Sequence, residues 1–369
     1  MNEQWRFLNL GYVDPVAYWT YPQAVMMAKS QKKVINSVVF SIPSRTTVNI
    51  GYYQDVEKEV NLSRCQDTGV EVVRRYGFGG GAILYDNDSR LFHIVVDRES
   101  FPTDYADLMT YASGGLLESV RNLGLDASFV PINDVIMASG KKIGMCSSFR
   151  TDFQNVTYVT ISLHRNVNID LAMELVTPPA EKFKDKSAKT VAERITTIGK
   201  ELNRDITSNE LIEAVRKGFE KAYGINLRDG ELTEEERAYY DGALQENGRL
   251  GFLYKYSEKE KFGNDDLELV KKGILRRSEF IYKGKKLIRV TLLSDGESIK
   301  NIMISGDYYA YPWNITDQLE SALKGCMMDE QLIRDKVVAT FTSANGEVAL
   351  ISPDEFTGTI MGAVNKIQS

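Results

Sequence analysis

Residues 74–86 read Arg-Arg-Tyr-Gly-Phe-Gly-Gly-Gly-Ala-Ile-Leu-Tyr-Asp, and this stretch constrains the fold more than any other. Three consecutive glycines, Gly79, Gly80 and Gly81, lie between apolar runs that read as strands. Glycine inside an ordered element costs backbone entropy, so its use here needs a reason. A main chain without Cβ atoms can approach a ligand closely and turn N–H groups toward it. Arg74 and Arg75 add positive charge and planar donors suited to carboxylate or phosphate. The same residues would also suit a flexible surface hairpin with solvated arginines, and the local pattern alone leaves both readings open.

The 369 residues are enough for two domains and a sizeable core. With 45 basic and 51 acidic residues the net charge is −6, which speaks against a general nucleic-acid binder. The three cysteines, Cys65, Cys146 and Cys326, are widely spaced and form no metal or disulfide pattern. Two histidines, His93 and His164, cannot make a multi-histidine metal centre. The start carries no signal-peptide pattern, and no run approaches the roughly 20 apolar residues of a membrane span. A cytoplasmic, monomeric protein with no membrane or nucleic-acid partner is the expectation.

Alternation predicts strands at Trp5–Leu8, Ser37–Ser41, Thr46–Ile50, Leu91–Val96, Phe129–Ile132, Val135–Ala138 and Thr157–Leu163, with another beginning at Lys142. Asp14-Pro15 opens a helix to Lys29, and helices are expected over Asp104–Leu123 and Ser208–Tyr223. Thr233 to Glu236 has the pattern of a capping box. Beyond a boundary near Gly248, three strands (Gly273–Tyr282, Lys286–Ser294, Ile299–Ser305) and helices Thr316–Leu323 and Asp329–Asp335 follow. The expected fold class is α+β: a large first domain, 1–248, with mixed sheets flanked by helices, and a smaller α+β domain, 249–369. Ser343 to Ser369 carries no functional reading.

Asn133-Asp134 precedes a tight turn, Ser139-Gly140-Lys141, which presents Lys142, and Arg150 follows on the same strand or just past its end. A lysine and several arginines around a glycine loop suit an acyl-phosphate or acyl-adenylate, because a fixed cation can neutralise charge developing on carboxylate and phosphate oxygens.

These motifs together resemble the lipoate–protein ligase A family of the wider biotin/lipoate ligase superfamily. The family pattern Arg-Arg-x-x-Gly-Gly-Gly-x-x-x-His-Asp looks like Arg74-Arg75 through Gly79-Gly80-Gly81 to Tyr85-Asp86. Its Gly-x-x-Gln resembles Gly51–Gln54, and its Asn-Asp, turn, Lys signature resembles Asn133-Asp134 to Lys142, followed by Ser147-Ser148-Phe149-Arg150. Lys182–Lys186 and Glu193–Ile198 are also family-like, and Gly306-Asp307-Tyr308-Tyr309 resembles the aromatic motif of the accessory domain.

The resemblance implies an enzyme that converts ATP and lipoate or octanoate, with Mg²⁺ carried on the nucleotide, to acyl-AMP. The acyl group would pass to a lysine of a 2-oxoacid dehydrogenase lipoyl domain or of the glycine-cleavage H protein. It implies Lys142 and Asp134 as catalytic residues, Asp134 orienting Lys142. Arg74, Arg75, Gly79, Gly80, Gly81, Ala82, Tyr85, Asp86, Asn133 and Arg150 would bind acid and adenylate, no protein side chain would hold the metal, and the accessory domain would swing between steps. The sequence departs from the pattern around the ligand: Tyr85 replaces the histidine, one residue is added between Arg75 and Gly79, and a later His-Gly-Thr is missing. A carrier-to-carrier acyltransferase is the alternative. Such relatives use a cysteine nucleophile, and Pro131 occupies the position expected for it, with Cys146 the only cysteine near Lys142. A non-catalytic lipoyl- or adenylate-binding module is the third reading.

Overall fold

The computed structural model describes residues 2–150, 155–177 and 191–369, without the side chains of 148–150, 191, 192 and 250. The fold is α+β, as expected from the sequence. Eight strands form one mixed sheet in the order Ile225–Asp229, Glu3–Val13, Ser37–Pro43, Ser89–Asp97, Val156–His164, Lys142–Arg150, Asp134–Met137 and Ala127–Val130. Glu3–Val13 pairs in parallel with both neighbours, and the other pairs are antiparallel.

Alternation along these strands gives the sheet two different faces. Phe92, Ile94, Val96, Val159, Ile161 and Leu163 point to one side, where helices Tyr105–Asn122 and Ser208–Tyr223 cover them with Leu108, Leu116, Val120, Leu211, Val215 and Phe219. Asp104 caps the first, accepting from the N–H groups of Ala106 and Asp107, and Thr207, rather than the Ser208 that the sequence suggests, caps the second by accepting from the N–H of Glu210. Helix Ala17–Ser30 lies on the opposite face with Tyr18, Trp19 and Val25. On that face a second sheet of Glu71–Arg74, Thr47–Ile50 and Ile83–Tyr85 carries the glycine stretch between its outer strands.

The C-terminal part is built on an antiparallel sheet of Arg276–Lys283, Leu287–Ser294 and Ile299–Gly306. The chain end, which has no functional reading in the sequence, forms helix Pro353–Gln368 with a complete capping box between Ser352 and Glu355. Its Phe356, Ile360, Ala363, Val364 and Ile367 complete the core against that sheet.

The two cores interlock. Tyr52 and Tyr53, from the loop after Thr47–Ile50, are buried in the C-terminal core; Tyr53 stacks on Tyr308 at 4.6 Å. The Tyr53 hydroxyl donates to the carbonyl of Trp313 (2.8 Å), and the Gly306 N–H donates to the carbonyl of Tyr53 (3.0 Å). Beside them Arg289 faces Glu59 at 3.4 Å with both side chains buried, and Gln54 donates to Glu59 (3.0 Å).

Asp55 caps the short helix Val56–Glu59 at this junction, accepting from the Glu57 N–H (3.0 Å) through one oxygen while the other is buried without a partner. Burial pushes its carboxyl up to about 6 from an ordinary 3.8. A carboxyl raised on folding contributes stability that is full below about 3.8 and is lost as the pH rises through about 6. Asp55→Asn keeps the cap and removes the titration. The difference in Tm between wild type and variant should therefore change across that window and be flat above it; parallel Tm–pH curves would refute this account.

Candidate functional site

Register places the site. On strand Val156–His164 the apolar Val159, Ile161 and Leu163 face the helices, so Tyr158, Thr160, Ser162 and His164 face the glycine stretch. On Lys142–Arg150, Met145 pairs with Ser162 and Ser147 with Thr160, and both line the same side. Cys146 pairs with Ile161 and lies among the helix-side core residues.

Two adjacent hollows result. The inner chamber is walled by Trp19, Arg75, Phe78, the three glycines, Tyr85, Tyr158 and, from the C-terminal part, Tyr309. Its free space is about 50 Å³. The outer cleft has about 440 Å³, is mainly apolar (Ile83, Ile143, Val167, Ile169, Met173, Ile195), and includes Lys142 and His164. Ile83 and Met145 belong to both walls, so the hollows lie side by side.

Lys142 opens the return strand of the hairpin that begins at Asp134, and its Nζ lies 2.7 Å from an Asp134 carboxylate oxygen. Both side chains remain partly exposed, so a ligand can reach this charge. The Thr196 N–H donates to the Lys142 carbonyl (2.8 Å), fixing the backbone that carries the side chain. His164 is half-buried; desolvation of the ring, then Lys142 and Arg90, bring its pKa down to about 4, so it is neutral at pH 7. Its Nε2 lies 3.2 Å from the Ser162 hydroxyl, while Nδ1 is buried without a partner.

The arginine pair divides. Arg75 is buried in the chamber wall, where its Nη groups donate to the carbonyls of Asn49 (3.2 Å), Gly79 (2.9 Å) and Gly81 (2.7 Å). It thereby shapes the glycine loop. Arg74 turns the other way and is used up internally, donating to the carbonyls of Gly51, Tyr52, Gln54, Phe252 and Leu253 at 2.5–3.1 Å. Arg74, expected to bind a ligand, lines neither hollow, and those carbonyls occupy its guanidinium. Asp86 likewise serves a turn, accepting from the Asp88 N–H and the Ser89 hydroxyl. The Asn133 carbonyl accepts from the Cys146 N–H (3.0 Å), and its side chain lines neither hollow. Ala82 lines the cleft and Tyr85 the chamber. The Arg150 side chain and the Lys182–Lys186 stretch lie outside the described residues.

The glycines also make room for protein. A Cβ on Gly79 would lie 1.7 Å from the Tyr308 carbonyl oxygen, and one on Gly51 would lie 2.0 Å from that of Gly80. The two large residues before the glycines have separate uses. Tyr76 packs on Phe252 (5.9 Å) and Trp313 (6.0 Å) of the C-terminal part, and Phe78 stacks on Tyr158 (4.5 Å) in the chamber. Sequence reasoning missed Trp19, Tyr158, Thr160, Ser162 and Tyr309 as wall residues and set His164 aside. The alternating polar series 158-160-162-164 was the available signal.

A family model for the lipoyl protein ligase A/B catalytic domain matches residues 14–220, more than half of the chain. The chain belongs to that family. The octanoyltransferase LipM of Geobacillus kaustophilus is 30% identical over 65% of this chain and 94% of its own length. The lipoate-protein ligase A subunit 1 of Thermoplasma acidophilum is 30% identical over 58% and 79%. Among solved structures, P. falciparum LipL1 in complex with lipoate covers 99% of this chain and 100% of its own, with a TM-score of 0.70 and 15% identity. The archaeal bipartite lipoate protein ligase of T. acidophilum, solved with its E2 lipoyl domain, gives a TM-score of 0.60 at 24% identity over 68% and 96%. The fold is thus shared with lipoate ligases, and the protein is an enzyme of the lipoate ligase and transferase group. Among the described residues no helix is long and apolar enough to cross a membrane.

Gly79→Ala tests the packing. With its Cβ position 1.7 Å from a carbonyl oxygen, the backbone must shift. The expected cost is about 1–3 kcal/mol, seen as a lower Tm. An unchanged Tm would show that the loop does not press on Tyr308.

Proposed function

We propose that the protein is a lipoate–protein ligase. It activates lipoate or octanoate with ATP and passes the acyl group to a lysine of an acceptor lipoyl domain or glycine-cleavage H protein. The observation that carries this reading is the Lys142–Asp134 pair at a cleft beside an inner chamber, with no cysteine in either wall among the described residues.

In this reading the acid lies with its carboxylate at Lys142 and its tail past Ile83 and Met145 into the chamber. A carboxylate oxygen attacks the α-phosphorus of ATP, and pyrophosphate leaves with the electrons of the broken P–O bond. Lys142 neutralises charge on the oxygens of both partners, and Asp134 holds its ammonium in place. The acceptor amine then attacks the acyl carbon, the C–O bond to AMP breaks, and the amine gives up a proton. Among the described residues no group of three or more His, Cys, Asp or Glu is placed to hold a metal, so Mg²⁺ would arrive on the nucleotide phosphates. Three unpaired cysteines fit a reducing, cytoplasmic setting.

The second reading, an acyltransferase, is favoured by the similarity to octanoyltransferases. Its thioester chemistry needs a thiolate. Cys146 is the nearest candidate, but its side chain is on the helix side of the sheet, and burial pushes its thiol up to about 12. Cys65 is buried in a separate core, and Cys326 packs against the C-terminal one.

Pyrophosphate release from ATP, Mg²⁺ and lipoate or octanoate separates the two. The wild type should release it, Lys142→Ala should lose roughly 10²–10³-fold in rate at unchanged Tm, and Cys146→Ala should retain it. A wild type that releases none, yet transfers acyl groups from an acylated carrier in a way that requires Cys146, would establish the transferase instead.

A further inference from the structure

The segment Gly306-Asp307-Tyr308-Tyr309 belongs to the C-terminal domain, yet one of its side chains completes the inner chamber. Its neighbours are all fixed elsewhere. Asp307 accepts from the Leu287 N–H (2.7 Å). Tyr308 is buried, stacked on Tyr53, and its hydroxyl donates to the Ile304 carbonyl (3.1 Å). The Tyr309 carbonyl accepts from the Ala349 N–H (2.8 Å), and Ala310–Tyr311 pairs with Glu347–Val348. Tyr309 itself leaves this frame and packs against the first domain's cluster of Trp19, Phe78, Tyr85 and Tyr158. A Cβ on Gly80 would lie 2.7 Å from its hydroxyl, so the ring sits directly on the glycine main chain, while Lys286 covers the ring at 5.1 Å.

This placement limits what the chamber can hold. At about 10–15 Å³ per water-sized group, the free space of about 50 Å³ takes only about three to five such groups. An acyl chain whose carboxylate lies at Lys142 can therefore put only its last few carbons beyond Ile83 and Met145. We propose that Tyr309 is the specificity-determining wall of the acyl chamber: the C-terminal domain sets the chain length that the first domain accepts. The inference rests on the reading of this chamber as the acyl site. It names the acids admitted as those whose tails end at the ring, with longer chains excluded by it.

The test is a chain-length series of hexanoate, octanoate, decanoate and dodecanoate, read as kcat/KM for ATP-dependent activation. Binding of the same acids without ATP is read in parallel as a thermal shift. Tyr309→Ala and Tyr309→Leu should each raise the preference for decanoate over hexanoate by roughly tenfold or more, the worth of a methylene gaining an apolar contact. The milder leucine variant keeps an apolar side chain at the junction and guards against loss of the fold. An unchanged chain-length ranking in either folded variant, by both readouts, overturns the proposal. A ranking that shifts in binding while no acyl-AMP forms supports the wall and counts only against the ligase reading.

Discussion

The structure depends on a cation solvated by main chain. Arg74 has no carboxylate beside it among the described residues; five carbonyls from two segments of the chain take its donors. Three belong to the loop that sends Tyr52 and Tyr53 into the C-terminal core, and two end the helix Leu250–Leu253 that enters that domain. Burial lowers its pKa to about 10, which still leaves it charged at neutral pH. A buried charge is costly unless hydrogen-bonded, and this one is compensated only when both segments are in place. The same residue therefore holds the loop and the domain junction in a single geometry, and the chamber wall follows from that geometry.

The chemistry is set by the other side of the sheet. Because side chains alternate, one strand can bury Val159, Ile161 and Leu163 under helices and still offer Thr160, Ser162 and His164 to a ligand. That economy also settles which functional groups are available. A one-residue slip would bring Cys146 into the chamber and take Met145 out of it, so which side chains line the chamber comes down to register.

Much of this was legible in the sequence. Lys142 and Asp134 could be paired because a short hairpin joins them. The strands and long helices followed from periodicity. The arginines were harder. Motif likeness treats Arg74 and Arg75 alike, but neighbours at a strand end point to opposite sides, so both could not face one ligand. The chamber walls were harder still, since Trp19, Tyr158 and Tyr309 meet only through long-range packing. The last helix, by contrast, had its signal in plain view: Ser352, Pro353 and Glu355 open it, and Phe356, Ile360, Ala363, Val364 and Ile367 repeat at helical spacing.

The interlocking of Tyr52 and Tyr53 with the C-terminal core bears on how the chain can be divided. A polypeptide ending near Gly248 would present two large aromatic rings to water, leave an arginine short of two acceptors, and open the chamber on the side where Tyr309 stands. The two parts share one solvent boundary, and any rearrangement between them must find new partners for the same rings and the same cation.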